Sequence, residues 1–460
     1  MSFASITFLF FFLPLVILVY YALPIKARNS FLLLASLVFY AWEGGLFLLL
    51  FIGTATINFF LTSYLRDAQH ARARAALMVG ILVNLCPLFF YKYAAFFAEA
   101  IGLAGRISLL DTLILPLGIS FFTFHSLSYL LDVYRKDVEP QKHFSDLLLY
   151  LFLFPQLIAG PIVRYKSIAP QLRERVEQLP LFAEGAWRFT IGLGKKVLIA
   201  NSLAPVADAA FALPPSEVTT VVAWVGITAY AFQIYYDFSG YSDMAVGIGK
   251  MFGFSLPENF NYPYAAHSVQ DFWRRWHISL SAWFRDYVYI PLGGSFQGKW
   301  RTTRNILIVF LLVGLWHGAG WVFVLWGLWH GVFLVFERLG EHSKVVVPTV
   351  VRHVYVGLVV LVGWVFFRAD SVPHAFEYLR GMFGMAQSSM DAASLPLDSI
   401  TLLAFVAAVV GATPLVQRVL QHMAPAWIAH GRVLALCAML ILCTMALADG
   451  SYNPFIYYRF

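Results

Sequence analysis

No charged residue appears before Lys26, and Ile6 to Leu23 forms an apolar run of 18 residues. A helix of that length crosses the roughly 30 Å hydrocarbon core of a bilayer, where each backbone N–H and C=O must find its partner inside the protein. The run is one of many. Hydrophobic residues make up 60% of the 460, charged residues 12%, and the mean hydropathy is +0.72, against about 25% charge in soluble globular chains. These values exclude a soluble enzyme. They define an all-α polytopic membrane protein, read as a single integral membrane domain over residues 1–460. The first run has no positively charged leader and no small-residue cleavage site, and it leads directly into further apolar sequence, so it reads as a span and not as a cleaved signal.

The net charge of +7 raises the question of a nucleic-acid partner. The basic residues, however, sit in short loops between apolar segments, the pattern of cytoplasmic loops. They report orientation, and no nucleic acid is expected. Cys86, Cys437 and Cys443 lie in apolar stretches without metal-ligand spacing and read as small core residues.

Taken in order, residues 29–65 hold one charge, Glu43, within Trp42-Glu43-Gly44-Gly45, which divides them into two segments joined by a tight turn. Arg66, Arg72 and Arg74 place 66–76 in the cytoplasm and the N-terminus outside. Spans follow at 76–97 and 114–134, with Arg135, Lys136 and Lys142 again inside. The run 147–162 carries Pro155, Gly160 and Pro161 and returns to another basic loop, with Arg164, Lys166, Arg173 and Arg175. A re-entrant element satisfies that parity, provided protein buries its irregular backbone. Residues 182–204 are ambiguous because Lys195-Lys196 interrupts the apolar pattern. A span at 218–236 leads into Tyr236-Asp237-Phe-Ser-Gly-Tyr-Ser242-Asp243. The loop 256–304 sets six cations against three anions and is read as cytoplasmic. Further spans at 305–317, 320–336, 354–367, 400–418 and 433–448 bring the expected total to about 10–12 transmembrane helices, besides re-entrant and interfacial ones.

Chemistry concentrates between Asp271 and Gly318. Ser268-Val-Gln-Asp271 resembles a capping box. Beyond it Phe272, Trp273, Trp276, Leu280, Trp283, Phe284 and Tyr287 recur at helical spacing over an arc of about 120°. Arg274 and Arg285 fall opposite, and His277 falls at the border beside Ser281 and Phe284. One continuous helix would lie along the membrane surface or in a protein cleft, with His277 at its wet edge; an interfacial anchor is the plainer alternative. His317 ends the apolar run from Asn305 to Leu315, just before Gly318-Ala-Gly320. Polar groups at such depth mark function by default. A neutral imidazole there accepts a proton, as a general base for acyl transfer to a hydroxyl must; the plainer alternative is a ring satisfied by a carbonyl where the helix breaks. A second Leu-Trp-His-Gly spans Leu328 to Gly331. On one continuous helix His330 would stand about 20 Å from His317 and roughly 220° around the axis; the intervening glycines favour a bend, and a structural or supporting role is expected of His330 even so. His125, alone on an apolar segment, reads as a packed core histidine. The sequence lacks a Gly-x-Ser-x-Gly elbow, a Walker loop, a His-Glu-x-x-His metal site and a His-x-x-x-x-Asp pair, which leaves histidine as the candidate base and no metal site.

Phe272-Trp-Arg-Arg-Trp-His277-Ile-Ser-Leu-Ser, Arg285-Asp-Tyr-Val-Tyr-Ile-Pro-Leu-Gly-Gly294 and Gly314-Leu-Trp-His317-Gly together resemble the membrane-bound O-acyltransferase (MBOAT) family, and within it the bacterial polysaccharide branch typified by alginate O-acetyltransferase. Ser239-Gly-Tyr-Ser-Asp243, Pro257-Glu-Asn-Phe260 and the tail Phe455-Ile-Tyr-Tyr-Arg-Phe460 extend the resemblance along nearly the whole chain. It implies a helical fold around a narrow protein-lined tunnel, with the donor entering from the cytoplasm and the acceptor approaching from the other side. The family's near-invariant histidine maps onto His317 and its second polar position onto His277. The resemblance further implies acetyl-CoA as acyl-donor substrate, with no bound cofactor. It implies transfer across the bacterial inner membrane to a periplasmic SGNH-type acetyltransferase or similar acceptor protein, in the service of exopolysaccharide machinery.

The residues themselves accord with that chemistry. Arg274, Arg275, Lys299 and Arg301 can meet the phosphates of a CoA donor, and Trp276, Ser281, Arg285, Trp316 and Asp243 are further candidates for substrate contact. An apolar tunnel surrounded by membrane lipid would keep water from the thioester. Two other readings fit the same features. One is a teichoic-acid D-alanyl transferase, which takes its acyl group from a carrier-protein thioester. The other is a secondary transporter or polysaccharide export channel, although inverted repeats are not found in the sequence.

Overall fold

The computed structural model describes the chain except residues 66–70, 104, 108, 109, 111, 341–346, 386–394, 423, 424, 451–455 and 457–460. Arg66 and most of the aromatic C-terminal tail, from Phe455 to Phe460, lie outside the described residues. Those described fold as helices joined by turns and short irregular segments, without a strand. Four helical stretches among them are long and apolar enough to cross a membrane: Ala71–Ala100, Trp321–Gly340, Thr349–Arg368 and Gly431–Ala448. Shorter apolar helices cover Phe8–Ala22, Phe47–Thr62 and Ser399–Gly411. The chain is a multi-pass, all-α membrane protein. Its contacts gather into two compact units, residues 1–189 with 242–257, and residues 190–241 with 258–460.

In the first unit, the helices Ile25–Gly44 and Phe47–Thr62 meet at Gly45, whose φ of +51° makes the turn that Trp42-Glu43-Gly44-Gly45 foretells. Helices without water between them are held by packing and by polar side chains that bond across the gap. Asn58 and Asn84 do this reciprocally, each amide donating to the other's oxygen at 3.1 and 2.9 Å. The expected re-entrant stretch is a helix, Phe144–Phe152, broken at Leu153 and resumed for one turn at Phe154–Leu157. Residues 147–163 are all buried, so protein covers the irregular backbone. Tyr150 Oη donates to the Val163 carbonyl at 2.8 Å, and Val163 N–H donates to His125 Nε2 at 3.3 Å. His125 is thus a core histidine that serves this backbone.

The second unit explains Lys195-Lys196. They open a π-helical turn, Lys195–Ala200, and Lys196 is fully buried against Asp237 at 2.6 Å. The other Asp237 oxygen accepts the Ile456 N–H at 2.8 Å. Because its charge is met, Asp237 does not end a helix. The span expected to stop at 236 continues as Thr220–Met251, with its last ten residues counted in the first unit.

From Lys299 the chain makes a helical hairpin, Lys299–His317 and Trp321–Gly340, turning at Gly318–Gly320. Two glycines let these helices touch. A Cβ at Gly314 would meet the Phe323 carbonyl oxygen at 2.3 Å, and one at Gly327 the Phe310 oxygen at 2.2 Å. Since those obstacles are backbone atoms, a larger residue must push the helices apart. Gly327→Val is therefore expected to destabilise the protein by about 1–3 kcal/mol, seen as a lower thermal midpoint in detergent, whereas Gly357→Val, where a Cβ meets nothing within 4 Å, leaves the midpoint unchanged.

Candidate active site

His277 does not ride on a continuous helix. The aromatic segment is split into Val269–Arg275 and Ile278–Phe284, followed by a π-helical turn at Arg285–Tyr289. Between the two helices His277 adopts φ 43° and ψ 54°, the left-handed region that costs a non-glycine residue roughly 1–2 kcal/mol. Backbone bonds hold it there. Ile278 N–H donates to the Asn259 carbonyl and Asn261 N–H to the Arg275 carbonyl, both at 3.0 Å. The helices on either side bury the same face, so Phe272, Trp273, Trp276, Leu280, Trp283, Phe284 and Tyr287 are all buried, as their spacing foretells, while Arg274 and Arg285 face outward. The periodicity runs through the break, which is why it reads as one helix.

The break corrects the position of His277. Its side chain is fully buried, not at a wet edge. Asn259 Oδ1 lies 3.0 Å from His277 Nδ1, and the same oxygen accepts from the Ser279 N–H at 3.2 Å and the Ser279 hydroxyl at 2.9 Å. The Phe238 ring lies 4.7 Å away, edge-on. Burial lowers the His277 pKa to about 3, since an imidazolium there would lose its hydration, and the ring is neutral at physiological pH.

His317 is the last residue of Lys299–His317, where the helix gives way to Gly318, as its glycines imply. It too is buried. The Trp316 ring packs against both histidines, 5.9 Å from His277 and 4.7 Å from His317. Trp326 and Phe367 complete an aromatic wall around His317 at 4.9 and 5.1 Å. Because the hairpin folds back, His330 does not point away as it would on a single helix. Its ring meets the Trp326 and Trp273 rings, each at 5.3 Å, one ring removed from His317.

A cavity of about 540 Å³ adjoins this cluster. Its wall includes Ile278, next to His277, and Val313, one turn before His317, and its polar contribution comes from Arg274, Arg285, Arg338 and Ser281 among others. The expected cation group is thus partly regrouped. Arg274 lines the cavity, with Arg285 and Ser281, but Arg275 is spent on Asp271 at 2.9 Å. Lys299 and Arg301 are exposed outside the lining, and Arg301 donates to Gln297 Oε1 at 2.8 Å. Trp276 is core, packed 4.9 Å from Trp364 and 5.1 Å from Phe260. Asp243 belongs to the first unit and pairs with Arg188 at 2.6 Å. Sequence reasoning passed over Arg338, which follows a long apolar run and resembles a span-flanking cation, and Asn259, whose only signal is a buried amide within Pro257-Glu-Asn-Phe260.

Comparison with known proteins gives this arrangement its class. The model of MBOAT, the membrane-bound O-acyltransferase family, matches residues 37–367, which include both histidines and the whole cavity lining. The chain belongs to the membrane-bound O-acyltransferase family. It is 43% identical to a probable alginate O-acetylase (AlgI) of Azotobacter vinelandii over 83% of this chain and 78% of that one. With the probable alginate O-acetylase of Pseudomonas putida it shares 39% over the full length of both. A peptidoglycan O-acetyltransferase of Helicobacter pylori is 38% identical over 82% of this chain and 79% of its own. The protein is a membrane O-acetyltransferase.

The buried neutral ring of His277 ties stability to pH. Its folded pKa lies below the unfolded value of about 6.5, so the unfolded state gains protons first as the pH drops. The contribution of the neutral ring is complete above that value and is lost progressively below it. Between pH 7 and pH 5 wild type should lose roughly 2 kcal/mol relative to His277→Gln, measured as thermal unfolding of both proteins in nanodiscs at the two pH values.

Proposed function

We propose that this protein takes an acetyl group from acetyl-CoA on the cytoplasmic side of the bacterial inner membrane and delivers it to a hydroxyl on the far side. The final product of that transfer is an O-acetylated exopolysaccharide, alginate or a related polymer, made through a periplasmic partner acetyltransferase. The observation that carries the reading is the pair of buried histidines, His277 and His317, both packed on the Trp316 ring, with Ile278 and Val313 near them in sequence lining a cavity that carries arginines. Support for the polymer comes from relatives named for alginate, and the peptidoglycan enzyme shows that a relative of this similarity can bear the name of a different acceptor.

His317 acts as general base. It removes the proton from the acceptor hydroxyl as the oxygen attacks the thioester carbonyl, and returns it to the departing CoA sulfur when the tetrahedral intermediate collapses. His277 orients the hydroxyl or stabilises developing charge. Arg274, Arg285 and Arg338 meet the donor phosphates, for which guanidinium offers charge and paired N–H donors. The aromatic wall excludes water, so the thioester is spent on the acceptor and not on hydrolysis.

In inside-out vesicles supplied with labelled acetyl-CoA and a lumenal acceptor, His317→Ala should lower transfer by about 100-fold or more, within the range for loss of a general base. Arg274→Glu and Arg338→Glu should raise the KM for acetyl-CoA, with kcat less affected, while Lys299→Glu leaves KM unchanged. Full activity of His317→Ala would remove the base from the mechanism. Transfer only when an acyl-carrier protein replaces acetyl-CoA would assign the donor to the D-alanyl type.

A further inference from the structure

We infer that the side chain of Asn259 sets the hydrogen-bonding role of His277, holding the ring proton on Nδ1 and presenting Nε2 as an acceptor. This inference rests on the reading of His277 as an active-site group. Its carrying observation is the crowding on one oxygen. The Ser279 backbone N–H can only donate, and it points at the Asn259 side-chain atom 3.2 Å away, so that atom is the amide oxygen and not the amide nitrogen. The Ser279 hydroxyl, at 2.9 Å, adds a second donor. An oxygen so placed can only accept from His277 Nδ1, 3.0 Å away. The ring is buried and neutral and carries one proton, which this contact places on Nδ1. The lone pair is then on Nε2.

The consequence decides between the two roles open to His277. A lone pair on Nε2 receives a hydrogen bond from a hydroxyl but cannot donate one to an oxyanion. Toward an acceptor hydroxyl His277 can thus serve only as a hydrogen-bond acceptor, aligning the oxygen for attack while His317 takes the proton. Asn259 is a positioning residue. Its backbone and side chain act separately, because the carbonyl holds the left-handed turn through Ile278 N–H, whereas the amide oxygen fixes the tautomer. Replacing the side chain leaves the turn's backbone bonds in place.

The test uses the full-length protein in nanodiscs with ring-¹⁵N-labelled histidine, the His277 resonances being assigned by their loss in His277→Gln. Wild type should show a protonated Nδ1 and an unprotonated Nε2. Asn259→Leu should give a mixture of tautomers and a kcat for acetyl transfer from labelled acetyl-CoA lower by about 100-fold, with KM unchanged, as orienting partners of catalytic imidazoles show. Asn259→Asp, whose carboxylate accepts from the same three donors, should keep the wild-type tautomer and recover kcat to within about tenfold of wild type. Protonated Nε2 in wild type overturns the inference, as does Asn259→Asp being no more active than Asn259→Leu. Wild-type kcat in Asn259→Leu beside an inactive His277→Gln overturns it while leaving the role of His277 intact. Full activity of His277→Gln instead removes His277 from the mechanism, and the resonances alone then decide the Asn259 contact.

Discussion

A polar group facing lipid or packed side chains must find its partner within the protein, and much of this structure depends on how such groups are met. Where lipid surrounds the chain, an unmet N–H, carbonyl or charge costs several kcal/mol, comparable to the whole stability margin of many proteins. The amide pair Asn58–Asn84, the ion pair Lys196–Asp237 and the contact of Asn259 with His277 are three answers to one demand. The same demand accounts for the irregular stretch 153–163, whose broken backbone is sealed by His125 and Tyr150.

Much of the fold could be read from hydropathy because lipid imposes so strict a rule on composition. The turn at Gly45, the helix break at Leu153 and the helix end at His317 all follow from where apolar runs meet glycine or proline. Reading failed where tertiary contacts replaced local signals. Tyr236 to Asp243 looked like the exit from a helix because it gathers two aspartates, yet a lysine forty-one positions earlier keeps it helical. The break at His277 carries neither glycine nor proline. It is imposed by the segment around Asn259, and no periodicity within residues 268–287 could reveal it.

Within the candidate site, the two histidines that the sequence singles out come together against one tryptophan ring, whereas its cations do not all assemble. His317 stood out because a titratable group at the end of an apolar run has few structural excuses. Lys299 and Arg301 were grouped with Arg274 because they are near in sequence, but the cavity draws Arg338 from a different helix instead. Asn259 was invisible for the same reason: an amide matters here through an oxygen shared among three donors, and one-dimensional spacing does not describe such a meeting point.

The cavity wall and the histidine cluster are built from different side chains, and this separation bears on how such enzymes diversify. His277, His317, Trp316 and Trp326 are locked by mutual packing, so almost any exchange among them disturbs its neighbours. Ser281, Ile306 and Leu334 line the cavity and are half-buried, so they have more room to change singly. A lineage on this scaffold can therefore reshape the cavity by small steps at its wall while the packed histidine cluster stays as it is.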